Sequence, residues 1–145
     1  MRSILEHVRA FVCECPCLRE AGIKTVGAGF LGNGSMCASV EPVADAVLTR
    51  YADGAQRRYY DFNIAIRAPY GIDTRANLDM ARLCEAVAAW VRVCGRDGVF
   101  PQTDIGRVDG ISPKDSVSPA PDAQNTTGTA RYEIPCRLTY YIVSS

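Results

Sequence analysis

The segment from Ala46 to Tyr70, AVLTRYADGAQRRYYDFNIAIRAPY, constrains the possible folds of this chain more than any other. Two runs rich in β-branched and aromatic residues flank Asp53-Gly54, and the whole reads as a β-hairpin. Glycine reaches positive φ without a Cβ clash, and aspartate caps such a turn through its own side chain. In the outgoing strand Tyr60, Phe62, Ile64 and Ile66 share one face, and Tyr59, Asp61, Asn63 and Arg67 share the other. One face is therefore core, and the other meets water or a partner.

Parity decides between two turn lengths. A two-residue loop at Asp53-Gly54 sets Arg50 against Arg57 and turns Val47, Thr49 and Tyr51 toward Tyr60 and Phe62. A three-residue Ala52-Asp53-Gly54 loop turns Ala44, Ala46 and Leu48 there instead, with Gly54 as the left-handed residue of a bulged turn. The second is preferred because it removes the directly facing like charges.

At 145 residues the chain reads as one domain, spanning residues 1–145 and able to bury about two thirds of its unfolded surface. Sixteen acidic residues balance sixteen basic ones, so net charge makes no case for nucleic acid or an anionic membrane. No run approaches the roughly 20 apolar residues of a membrane span, and the first residues lack a secretion-signal pattern. A soluble protein made in the cytoplasm is the expectation. The seven cysteines are then expected to be reduced, small apolar groups rather than a disulfide framework.

Ile4, Leu5, Val8, Phe11, Val12 and Cys15 fall at helical spacing, with Ser3 and Glu6 forming a capping box. This helix ends before Pro16. Cys13, Cys15 and Cys17 follow with single-residue gaps, unlike the spacing of structural zinc ligands, so helix-end packing is the expectation and no metal is assigned. His7, the single histidine, is placed on a solvated flank.

Residues 22–35 read as a glycine-rich connector. Gly27, Gly29 and Gly32 spell a dinucleotide-binding pattern, but a turn, Asn33-Gly34-Ser35, follows where a helix is required. After the hairpin, Asp73 or Thr74 caps a long amphipathic helix ending near Gly95, with Met80, Cys84, Val87, Val91 and Cys94 as its apolar stripe and Trp90 as a large core residue. Ile105 to Ile111 predicts a short strand, and residues 112–128 an exposed loop. The last run alternates cleanly, Tyr132, Ile134, Cys136, Leu138, Tyr140 and Ile142 against Arg131, Glu133, Arg137, Thr139 and Tyr141. Pro135 within it argues for an edge strand or a bulge. The fold class is thus α+β: a mainly antiparallel sheet built on a central hairpin, packed against an N-terminal helix and one long helix.

Catalytic patterns are missing. There is no G-x-S-x-G elbow and no phosphate-binding G-x-x-x-x-G-K-[ST] loop, and a histidine-based pair has only His7 to use. No cofactor is assigned, and the chain is read as a non-enzyme. Arginines and tyrosines on one sheet face suit docking instead. Candidate contacts between copies are Arg57, Tyr59 and Arg67 on the hairpin, and Arg137 and Tyr141 on the last strand.

The ordered string of features resembles the tail-terminator, or minor capsid, family of long-tailed phages and prophages of Gram-positive bacteria. The resemblance rests on Leu31-Gly32, Ser35, Val40-Glu41-Pro42, Tyr51-Ala-Asp-Gly54 and Phe62-Asn-Ile-Ala-Ile-Arg67. It continues through Tyr70-Gly-Ile-Asp73, Trp90, Pro101, Ala130-Arg-Tyr132 and Arg137-Leu-Thr-Tyr-Tyr141. It implies a structural virion protein, assembled in the host cytoplasm, whose ring, typically a hexamer, caps the finished tail tube and presents the head-docking surface. Implied partners are further copies of the chain, the tail tube protein and head–tail connector proteins, with DNA only passing through the lumen. A neighbouring neck protein of the same virion is the near alternative. A small cytoplasmic thiol or metal protein built on Cys13, Cys15 and Cys17 is the remote one.

Overall fold

The computed structural model describes residues 3–23, 25–29, 36–69, 74–102, 104, 106–114, 122–124 and 129–143. Helix α1, Ile4–Cys13, starts as predicted: the Glu6 amide donates to Ser3 Oγ (3.2 Å) and the Ser3 amide to Glu6 Oε1 (3.3 Å). It buries Ile4, Val8, Phe11 and Val12. A short helix α2, Pro16–Glu20, follows immediately, with Pro16 at its first position, where proline's missing N–H costs nothing. The proline thus opens a second helix as well as closing the first.

The glycine-rich connector holds a strand. Val26–Ala28 (β1) pairs in parallel with Ala38–Val40 of β2, Cys37–Arg50, and the Gly29 amide donates to the Val40 carbonyl (2.8 Å). Gly32 to Ser35, like Tyr70 to Asp73, lie outside the described residues. Strand β3, Gln56–Pro69, returns antiparallel to β2 and completes the hairpin. Helix α3 spans Thr74–Asp97, β4 spans Arg107–Pro113, β5 Asp122–Gln124 and β6 Thr129–Ile142. The strands form one sheet in the order β1-β2-β3-β6-β4, with β5 also on β6. Every pairing except β1–β2 is antiparallel.

The turn has the three-residue loop that parity favours. The Tyr51 amide donates to the Ala55 carbonyl (2.9 Å), the Gly54 amide to the Tyr51 carbonyl (3.0 Å), and Gly54 sits at φ 89°. Asp53 Oδ1 accepts from the Ala55 amide (3.0 Å), the local cap that aspartate supplies. Gly54→Ala is expected to cost about 1–2 kcal/mol, because a Cβ is disfavoured at positive φ, and urea unfolding should show a lower midpoint at unchanged slope.

Beyond the turn the register departs from a regular ladder. Arg50 faces Gln56 and Thr49 faces Arg57, but shifts between Val47 and Thr49 and between Pro42 and Ala44 leave Leu48 and Val43 as bulge residues. Asp45 therefore stands opposite Tyr60, while Ala44 and Ala46 oppose Asp61 and Tyr59 rather than joining the Tyr60 face. Val43 (58% exposed) and Leu48 (43%) are left at the surface.

The core lies on one side of the sheet. Phe62, Ile64 and Ile66 of β3 meet Tyr132, Ile134, Cys136 and Leu138 of β6, under Val8 and Val12 of α1 and Cys84, Val87 and Val91 of α3. Met80 and Trp90 are only partly buried; the Trp90 ring packs 4.8 Å from that of Phe11 at the seam between α1 and α3. The largest fully buried side chains are Tyr132 and Tyr140. His7 is also less solvated than expected, its side chain 12% exposed and its Nε2 3.5 Å from Asp104.

Strand β6 is interior, not an edge. It pairs with β3 along its whole length and with β4 and β5 on its other side. Pro135 is tolerated because its polar edge faces the β4 side just past the end of that strand, where its carbonyl accepts from the Lys114 amide (2.9 Å). Strand β4 itself is displaced two residues later than expected, and β5 interrupts the segment read as a loop; residues 115–121 and 125–128 lie outside the described residues.

Candidate functional site

Strands β3 and β6 turn their alternate residues away from the core, onto a face that carries no helix among the described residues. Arg57 stands opposite Tyr141, Tyr59 opposite Thr139 and Asp61 opposite Arg137, so four of the five predicted contact residues meet on neighbouring strands. Arg67 does not join them. It pairs with Arg131 ten positions along β3, about 33 Å from Arg57 at the usual strand rise.

The four are locked by neighbours. The Arg137 guanidinium lies 4.1 Å from the Tyr59 ring centroid and holds Asp61 with both arms, Nε to Oδ1 at 2.8 Å and Nη2 to Oδ2 at 3.1 Å. Lys114 Nζ adds a third contact to Asp61 Oδ2 at 3.0 Å. Arg57 Nε donates to Asp109 Oδ2 (3.2 Å), whose other oxygen accepts from Thr139 Oγ1 (2.6 Å). Tyr141 is flanked by the Tyr51 ring at 5.8 Å and the Arg107 guanidinium at 5.9 Å.

Asp61 is the electrostatic centre of this face. It is 4% exposed, yet its carboxyl is held below the ordinary range, first by the Arg137 hydrogen bonds and then by Lys114, against the opposing effect of burial. A second cluster surrounds Arg131, which is paired bidentately with Glu41 and also with Glu133 (2.9 Å). The face is thus charged but internally compensated, and its uncompensated character is aromatic.

Sequence reasoning did not single out Tyr51, Arg107, Asp109 and Lys114. Tyr51 carried a signal: a tyrosine next to a hairpin turn, 44% exposed here, projects where no core can cover it. The other three come from β4 and the residue after it, whose register on β6 only the folded sheet defines.

This arrangement has the chemistry of a docking surface. Tyrosine and arginine give large contact area at low entropic cost, and ion pairs already made within one chain need no reorganisation on contact. Among the described residues no group of three or more histidine, cysteine, aspartate or glutamate side chains is placed to hold a metal ion, and no helix is long and apolar enough to cross a membrane. No protein-family model matches the chain, and no curated protein sequence matches it.

Proposed function

We propose that this chain is a structural virion protein of the tail-terminator kind. Copies of it close a hexameric ring on the end of the phage tail tube, and the ring presents the surface that receives the head. The supporting observation is the Tyr51/Tyr59/Tyr141 cluster with Arg57 and Arg137 on the helix-free face. The ordered sequence resemblance to tail terminators supplies the assembly. A ring needs two different surfaces on each copy, and this cluster serves as one of them. The protein acts by binding: a ring over the growing end offers no further tube-like surface, so polymerisation stops, and DNA passes through the lumen.

Light scattering over a range of concentrations, with negative-stain images of the same sample, tests the proposal. The expected result is a closed hexamer, alone or after addition of purified tail tubes. Tyr141→Ala combined with Tyr51→Ser should weaken each contact by about 2 kcal/mol, a hot-spot loss, and shift the ring to monomers with unchanged circular dichroism. A monomer that neither binds nor caps tubes defeats the proposal.

A further inference from the structure

Two hollows meet where the chain leaves α3 for β4. The smaller, about 220 Å³, is bordered by His7 and Phe11 of α1, by its C-cap Glu14, and by Phe100 and Gln102. The larger, about 410 Å³, shares Phe100 and Gln102 and extends to Asp104 and Gly106. His7 borders the first and Asp104 the second, and the 3.5 Å from Nε2 to Oδ2 joins them. Among the described residues, His7 Nε2 is the one buried side-chain nitrogen or oxygen without a hydrogen bond. A buried polar atom in that state calls for a partner, and in the neutral ring this nitrogen can accept an N–H. Two carboxylates, Glu14 and Asp104, and two aromatic rings, Phe11 and Phe100, stand around it. Arg107 also borders the larger hollow, but its guanidinium is drawn to the Tyr141 ring, 5.9 Å away. Acceptors and rings together suit a cation, and a guanidinium above all, whose planar fork of donors serves several acceptors at once and stacks on rings.

We propose that this cavity receives the Arg50 side chain of the next copy in the ring. The inference rests on the ring reading and names the second surface that a head-to-tail contact needs. Arg50 is exposed, has no acidic partner among the described residues, and adjoins Tyr51 of the aromatic cluster, so both enter one contact. Its position also fits closure. Arg50 faces Gln56, Gln56 faces Ile142, and a Cβ on Gly106 would stand 3.3 Å from Ile142. Arg50 and the larger hollow therefore lie at one level along the strands, on opposite flanks of the sheet, three strand spacings or about 14 Å apart. A contact between points at one level adds no rise per copy, so its repetition closes a ring instead of extending a filament.

The first readout needs no ring. Trp90, the single tryptophan, packs against Phe11 at the cavity, so its fluorescence reports occupancy. Arginine amide titrated into the Arg50→Ala chain should change that fluorescence saturably, with leucine amide inert at equal ionic strength. Asp104→Ala should weaken the binding about tenfold, the loss of one charge-assisted hydrogen bond. The second readout is mass by light scattering. Arg50→Asp and Asp104→Arg should each abolish the ring, and the double variant should restore it. Glu14→Arg, at a helix C-terminus where a cation is favoured, replaces Asp104→Arg should that variant unfold. No saturable response to arginine amide overturns the proposal. A response without rescue overturns Arg50 as the occupant and leaves a site for free guanidinium cations. A parent chain that forms no ring, alone or on tubes, defeats the ring reading by itself, while the titration still decides the cavity.

Discussion

Gly95→Ala is expected to lower stability by about 3 kcal/mol or to prevent folding, the upper end of what overpacking costs. Gly95 lies inside α3 where the helix crosses β4. A Cβ there would stand 1.9 Å from the Ile111 carbonyl oxygen and 3.1 Å from its carbon. Both are backbone atoms of a paired strand and have no rotamer with which to yield. Relief requires α3 to lift from β4 by about 1 Å, which opens gaps along the Val87, Val91 and Cys94 stripe. The better helix propensity of alanine returns about 1 kcal/mol, too little to reverse the sign. Chemical denaturation checks this. Gly98→Ala is the control, since Gly98 has nothing within 4 Å of its would-be Cβ and suffers only from its φ of 75°. If Gly95→Ala proved as stable as the parent, α3 would not approach β4 this closely.

The same two glycines show how far the sequence could be read. Gly95 looks like a helix stop, but the helix runs on to Asp97. The stop is Gly98, followed by a Val99 amide that donates back to the Cys94 carbonyl (2.8 Å), the closure expected after a left-handed glycine. A single sequence does not distinguish a glycine that ends a helix from one that lets a strand pass close by, because the difference lies in a partner sixteen residues away. Strong local periods were legible: the Ser3/Glu6 capping box, the alternation of β3 and β6, and the Gly54 turn are each decided by neighbours in the chain. The bulges at Val43 and Leu48 were not, since both residues continue an ordinary apolar pattern and only pairing with β3 displaces them. The interior position of β6 was hidden for a related reason. Pro135 forbids a ladder bond on one side only, and whether a strand there needs that bond depends on where β4 ends. On the candidate site, alternation placed Arg57, Tyr59, Arg137 and Tyr141 on polar faces, and the β3–β6 register brings them together. It also carries Arg67 to the far end, because sharing a face does not imply sharing a neighbourhood.

Asp61→Ala is expected to cost about 2 kcal/mol at neutral pH, within the range for losing hydrogen bonds to charged partners. Removing one member of a fully buried ion pair costs more, but the cations here are only half covered. The Arg137 and Lys114 side chains are 37% and 40% exposed against 6% for Asp61, so both recover water once the carboxylate is gone. Truncation also frees Arg137 from its place over the Tyr59 ring, so the variant should loosen the docking face as well as the fold. The pH dependence follows from the direction of the shift. The folded carboxyl titrates below its ordinary value of 3.8, so its contribution is complete above about pH 4 and is lost as pH falls through the lowered folded value. The gap between parent and Asp61→Ala should therefore be widest near neutrality and close in strong acid, whereas a purely steric defect would persist at every pH. Thermal unfolding from pH 7 down to pH 2 separates the two. A double-mutant cycle with Arg137→Ala should return a coupling of about 1–2 kcal/mol at pH 7, because each side chain satisfies the other bidentately. A gap independent of pH, or no coupling, would mean that Asp61 fills space on this face rather than organising its charges.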